Sequence, residues 1–226
     1  MSLAIEVTRH GGPEALRAVE RDPGPPGPGQ VRVRVAACGV NFIDVYFRTG
    51  LYPRPAPFVA GLEGAGIVEA VGPGVRGFAP GDRVGWASVP GSYAKELLAP
   101  AEALVRVPEA VELRVAAAAM LQGMTAHYLA HGVRRTGPGD RALVHPAAGG
   151  TGLLLVQTLR RAEARVMGLC STPEKEALAR RAGAEEVLRS GAPFAELPLR
   201  EAAEAHRALE SRRTTGKDLL IPEGAP

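Results

Sequence analysis

With 226 residues, 46% of them hydrophobic and 23% charged, the chain is long enough for one large domain or two small ones with packed cores. The net charge is +3, but the charges are interspersed and lysine occurs only at Lys95, Lys175 and Lys217, so no basic stripe marks a nucleic-acid surface. Cys38 and Cys170 lie too far apart for a disulfide framework or zinc cluster, no signal segment opens the chain, and no apolar run approaches the ~20 residues of a membrane span; a soluble, cytoplasmic protein is expected.

The first hundred residues read as short strands punctuated by glycine and proline. Leu3 to Val7 and Val31 to Ala37 alternate as half-buried strands. The run Pro23-Gly24-Pro25-Pro26-Gly27-Pro28-Gly29 between them has to be a loop. Gly61 to Val71 and Asp82 to Ala87 follow as strands, with turns at Gly72-Pro73-Gly74 and Pro80-Gly81-Asp82. The pattern predicts a β-rich domain closed like a barrel.

From Val111 the texture becomes helical, with apolar residues at helical spacing over Val115 to Ala119 and Thr125 to His131. A turn at Pro138-Gly139-Asp140 precedes a strand from Arg141 to His145. Helix (Gly152 to Arg161), strand (Arg165 to Leu169), helix (Pro173 to Ala182, closed by Gly183) and strand (Glu186 to Leu188) then alternate. Such alternation means a parallel sheet with helical crossovers. The register breaks from Ser190 to Leu197. A helix from Leu199 to Ser211 and a strand from Asp218 to Ile221 end the chain.

Ala147-Ala148-Gly149-Gly150-Thr151-Gly152 joins the first of these strands to the first helix. Ala147, Gly149 and Gly152 occupy the positions of a G-x-G-x-x-G dinucleotide turn, with alanine for the first glycine. The glycines let backbone approach a pyrophosphate whose charge rests on the helix N-terminus. A plain strand-to-helix turn is the alternative. After the next strand stand Ser171, Thr172, Glu174 and Lys175, where an NAD site would carry a carboxylate for the ribose. Ser171 and Lys175 suit the 2′-phosphate of NADPH, with Glu174 as a repulsive neighbour. The alternative makes Ser171 or Thr172 a helix cap and Lys175 a solvated residue.

The stretches Gly39-Val40-Asn41-Phe42-Ile43-Asp44-Val45-Tyr46, Arg48-Thr49-Gly50-Leu51-Tyr52-Pro53 and Gly61-Leu62-Glu63-Gly64-Ala65-Gly66, together with the glycine turn and the Ala203 to Lys217 ending, resemble the zinc-free, ζ-crystallin-like quinone oxidoreductases of the medium-chain dehydrogenase/reductase superfamily. The resemblance covers residues 1 to about 189 and again about 197 to 222. It implies an α/β fold: a GroES-like β-rich catalytic domain over 1–124, a truncated Rossmann domain holding only its first mononucleotide half over 125–196, and a C-terminal helix and strand over 197–226 returning to the catalytic domain.

The resemblance further implies hydride transfer from NADPH to a quinone or enone-like acceptor. Asn41 and Tyr46 would line the nicotinamide and acceptor pocket, with Asp44 in support and Tyr52 near its mouth; Thr125 and Tyr128 would contact the cofactor, as would Ala147, Gly149, Gly150, Thr151, Gly152, Ser171 and Lys175. Helix capping by Asp44 and amphipathic packing of the two tyrosines are the structural alternatives, and His127 is a surface residue before it is a proton donor. Zinc-dependent relatives carry Cys where this chain has Asn41 and His where it has Leu62, so no metal is expected. Cys38 reads as a small buried hydrophobe. The family's phosphate-holding tyrosine falls at Ser190. Relatives continue for roughly another hundred residues before the final helix and strand. An internal stretch is therefore expected to be missing, leaving Ala142 to His145 at a sheet edge and removing the usual dimer contact. A catalytically inactive remnant, acting as a nucleotide-binding or interaction module, is the alternative function.

Overall fold

The computed structural model describes residues 1–189 throughout and, beyond them, the backbone of two short strands, Glu196–Pro198 and Leu219–Ile221. The described chain divides into two compact units, Met1–Met124 and Thr125–Pro226.

In the first unit, apolar alternation produces strands β1 (Ser2–Val7), β2 (Leu16–Arg21) and β3 (Gln30–Gly39), then helix α1 (Phe42–Thr49). Strands β4 (Phe58–Val59), β5 (Glu63–Val71), β6 (Arg83–Trp86), β7 (Glu96–Pro100) and β8 (Val105–Arg106) follow, before helix α2 (Leu113–His127). They form a three-stranded sheet, β2-β1-β4, and a five-stranded antiparallel sheet, β7-β3-β5-β6-β8. A bridge between Ala4 and Ala94 adds a further link. Two register shifts in the β3–β5 ladder, at Arg32/Val33 and Val35/Ala37, bend the sheet as bulges do. The core inside it is Val31, Val33, Val68, Val84, Trp86, Val89, Leu97 and Leu104. The expected Pro-Gly loop and both turns are present. Sequence reading missed β2, β4, β7, β8 and α1, all of them short.

In the second unit the two helical stretches expected before the sheet are one run: α2, continued by a π-helical turn over Tyr128–Val133. Strand β9 (Arg141–Val144), helix α3 (Gly150–Arg161), β10 (Arg165–Cys170), α4 (Pro173–Ala182) and β11 (Glu186–Arg189) alternate as predicted. The strands are parallel in the order β11-β10-β9. Thr172 caps α4 by accepting from the Lys175 N–H at 3.3 Å, and Gly183 ends it in the left-handed region at φ +114°. Val144, Ala147, Val156, Leu159, Val166 and Ala179 fill the core between sheet and helices.

Among the described residues β9 has no neighbour on its outer side, as expected. Leu143 on it is 64% exposed, and a cavity of about 480 Å³ opens against Leu143, Val166 and Met167, rimmed by Arg141, Arg165, Glu185 and Glu186. The final strand, β13 (Leu219–Ile221), lies parallel to β12 (Glu196–Pro198), which the sequence pattern did not reveal. The helix expected over Leu199 to Ser211, and Ser190, lie outside the described residues.

Candidate functional site

Four of the expected residues gather around α1. Asn41, the residue before the helix, has an extended backbone (φ −131°, ψ 155°), and the Asp44 carboxylate reaches back to accept from its N–H at 2.9 Å. Asn41 and Asp44 together form a capping box, so Asp44 starts the helix. The other half of its carboxyl is buried and makes no hydrogen bond. One turn on, the Tyr46 ring meets the Tyr52 ring at 5.3 Å, and the Tyr52 N–H donates to the Tyr46 carbonyl at 3.1 Å. Gly50, left-handed at φ +83°, reverses the chain so that these two rings meet.

Beneath them runs a buried polar chain. Asn41 is only 7% exposed; its Nδ2 donates to Glu63 Oε2 at 2.8 Å, and its Oδ1 accepts from Gln122 Nε2 at 2.8 Å. Glu63, fully buried at 0%, accepts the Leu121 N–H at Oε1, 2.6 Å away. Tyr93 donates its hydroxyl to Asp44 at 3.0 Å. Glu63, Gln122 and Tyr93 were not singled out from sequence for this role. A signal for Glu63 was available: a charged residue in a strand of Gly, Ala, Ile and Val is buried only when its charge has a use.

Burial raises the pKa of Asp44 above the ordinary carboxylate range, against the lowering effect of its bonds from Asn41 and Tyr93. Burial also raises that of Tyr93, and the neighbouring Asp44 charge adds to it, so the phenol keeps its proton well into alkaline solution. The consequence for stability has a definite sign. The unfolded chain releases the Tyr93 proton near pH ~10 while the folded chain holds it, so this contribution is complete below that pH and lost as pH rises through it. Urea midpoints measured from pH 8 to 11 are expected to fall more steeply for the natural chain than for Tyr93→Phe; parallel curves would refute the coupling.

Cys38 departs from expectation. It is exposed, with Sγ donating to the Ser92 carbonyl at 3.0 Å. Its neighbour across the ladder is Gly64, which has no side chain to cover it.

The second set lies at the start of α3. Ala147 is fully buried, and its N–H donates to the Leu169 carbonyl at 2.9 Å. A Cβ on Gly168 would stand 2.9 Å from the Ala147 methyl, so a glycine on β10 makes room for the alanine that replaces the turn's first glycine. Gly149 is the residue before the helix, in extended backbone, and Gly150 and Thr151 open the first turn. Gly152 packs closest: a Cβ there would meet the Pro146 carbonyl oxygen at 1.9 Å. The first-turn N–H groups of α3 thus face outward from a tight strand-to-helix junction, the arrangement that binds phosphate.

Beyond β10, the exposed Lys175 ammonium donates to Ser171 Oγ at 3.0 Å. Thr172 takes the capping role left open between it and Ser171, which frees Ser171 to pair with the cation. Thr172 also hydrogen-bonds Glu174, holding that carboxyl below its ordinary range. Thr125 lies near the end of α2, and Tyr128, 62% exposed, lies on the π-helical turn. His127 is exposed and its ring pairs with that of His131 at 4.7 Å. Among the described residues no group of three or more His, Cys, Asp or Glu side chains is placed to hold a metal ion.

Residues 27–109 match the alcohol dehydrogenase GroES-like domain. Over 190 residues the chain is 44% identical to a quinone oxidoreductase of Pseudomonas aeruginosa, a match covering 83% of this chain and 58% of the relative. Over 206 residues it is 44% identical to a 2-haloacrylate reductase of a Burkholderia species, covering 87% and 62%. The solved structure of Escherichia coli quinone oxidoreductase complexed with NADPH superposes with a TM-score of 0.80 at 37% identity, over 93% of this chain and 63% of that one. Over most of its described length the chain is similar to quinone oxidoreductases, and it carries the GroES-like domain of the alcohol dehydrogenases. It spans less than two thirds of the length of these relatives. Its described fold is the α/β one expected of the family: a GroES-like unit followed by strands and helices in the Rossmann order.

Proposed function

We propose that the chain is a zinc-free, NADPH-dependent reductase of quinones or related enone-like acceptors. The carrying observation is the pair Lys175–Ser171 after β10, a cation and a hydroxyl of the kind that would receive a 2′-phosphate. The resemblance to an enzyme solved with NADPH supports the same cofactor. The donor set speaks against a catalytic metal: Asn41 spends both ends of its amide on Glu63 and Gln122, and Leu62 is aliphatic.

NADPH, when bound, would supply a hydride, and the acceptor would take it together with a proton, a quinone becoming the hydroquinone and an enone the saturated carbonyl compound. The protein binds and orients. The backbone N–H groups of Gly150, Thr151 and Gly152 receive the pyrophosphate, Gly149 and Ala147 shape the approach, and Thr125 and Tyr128 contact the cofactor. Asn41, Tyr46 and Tyr52 position the reacting rings. Asp44 holds the Asn41 backbone and the Tyr93 hydroxyl in place.

The test is titration of the purified chain with NADPH, followed by a turnover assay with a soluble benzoquinone. Saturable binding with NADPH oxidation that depends on the quinone supports the reading. Lys175→Ala is expected to weaken NADPH about tenfold, the loss of one charge-assisted contact, while leaving NADH nearly unchanged. Equal weakening of both would remove the phosphate assignment.

A second reading is favoured by the edge of β9, which has no outer neighbour among the described residues: a catalytically inactive chain that binds nucleotide or another protein. Binding of NADPH without its oxidation by any quinone supports that reading over the first. In either case the family's usual dimer contact is expected to be lost and no nucleic-acid partner is expected; no helix of the described residues is long and apolar enough to cross a membrane.

A further inference from the structure

We propose that Glu63 is a positioning residue: its carboxylate dictates which way the Asn41 amide faces, and Gln122 carries that orientation onward. The proposal rests on the reading that Asn41 positions the reacting rings.

The argument is one of donors and acceptors. A carboxylate only accepts. Glu63 uses Oε1 for the Leu121 N–H at 2.6 Å, so Oε2 must also receive a donor, and the partner at 2.8 Å is the Asn41 amide. Asn41 therefore turns its NH₂ group to Glu63 and its Oδ1 to Gln122. Gln122 must in turn donate Nε2, 2.8 Å away, which leaves its own Oε1 as the far end of the relay. The orientations of Asn41 and Gln122 both follow from this one acceptor. The site is shaped for it: Gly39 faces the carboxylate, and a Cβ there would stand 2.0 Å from Oε2. The backbone link to Leu121 ties α2 to β5, so the same carboxylate holds three segments of the first unit: β5, the entry to α1, and α2. A relay that ends on an acceptor prefers a bound N–H or O–H group to a bound carbonyl.

A neutral amide of the same shape reverses the polarity. In Glu63→Gln the new amide must keep its carbonyl on the Leu121 N–H and offer NH₂ to Asn41, which then has to rotate and present NH₂ to Gln122. The double variant Glu63→Gln/Gln122→Glu completes this reversed relay, because a carboxylate at 122 accepts from the rotated Asn41. Three quantities are measured on the full chain: the melting temperature, the nuclear Overhauser contacts of the Asn41 side-chain amide protons, and steady-state turnover with NADPH and a benzoquinone.

Glu63→Gln is expected to melt lower and to lose about tenfold in kcat, with the KM for NADPH within about twofold, as for one misdirected hydrogen bond. The double variant is expected to regain its melting temperature and not its kcat, with the Asn41 amide contacts moved from residue 63 to residue 122. Recovery of melting temperature and kcat together overturns the proposal, since Glu63 would then be only structural. So do Asn41 amide contacts that stay at residue 63 in the double variant. If Glu63→Gln does not fold, the double variant alone decides. If the natural chain oxidises no NADPH, the functional reading fails, while melting temperature and amide contacts still decide the relay.

Discussion

Gly152→Ala is expected to abolish measurable NADPH binding and to lower stability together. The added methyl would sit 1.9 Å from the Pro146 carbonyl oxygen and 2.9 Å from the Ala147 carbonyl carbon, and both obstacles are backbone. No rotamer change relieves that clash. The start of α3 must move away from β9, and overpacking of this kind costs about 1–3 kcal/mol or more. A shift of the first helical turn also displaces the N–H groups that receive phosphate, so affinity is expected to fall by about a hundredfold or more, equivalent to about 3 kcal/mol. Gly149→Ala is the discriminating control. Its Cβ meets only Pro146, at 3.4–3.5 Å, and its φ of −76° suits any residue. It should melt like the natural chain. Fluorescence titration and a thermal melt read both quantities, and equal melting of the two variants would refute the close-approach argument.

The second large effect is expected at Trp86. This side chain is fully buried among Val31, Val33, Val68 and Val84, and its Nε1–H donates to Ser92 Oγ at 2.8 Å. Ser92 passes its own proton to the Val89 carbonyl at 2.6 Å. Trp86→Ala removes the largest group of the core and should cost about 3–5 kcal/mol, much of a typical domain's margin. Trp86→Phe keeps a ring but leaves the Ser92 hydroxyl without its donor, for about 1 kcal/mol. Both act on the site through one short segment, because Tyr93, which holds Asp44, follows Ser92 directly. Urea denaturation orders the two variants; a Trp86→Ala chain as stable as the natural one would contradict the packing.

How much of this could be read from residues alone follows from the range of the interactions. The second unit was legible almost element by element, since βα alternation, the proline at the start of α4 and Gly183 at its end are local signals. The glycine turn was legible for the same reason, and Gly152 proved to be its tightest position. The role of Gly168 in admitting Ala147 was not, because it depends on a residue of the next strand. In the first unit, β2, β7 and β8 hold their places by pairing with distant partners and not by their own periodicity. The buried chain from Glu63 through Asn41 to Gln122 was hidden likewise: its members are far apart in sequence and meet only in the fold. Cys38 was misplaced because exposure depends on what lies across the ladder, and there it is a glycine.

The registers of the two sheets also carry a consequence for the order in which the chain acquires structure. Gln30 pairs with Pro100 in the first unit, whereas Arg141 pairs with Arg165 in the second. Closing the long loop costs more entropy before any contact repays it, and such non-local pairing is slow. In refolding of the full chain, the ladder of β3 with β7 is therefore expected to close more slowly than that of β9 with β10. The glycine turn, by contrast, sits between strands that meet as soon as α3 forms. The part of the chain proposed to hold the nucleotide is therefore the part expected to regain its strand pairing first on refolding.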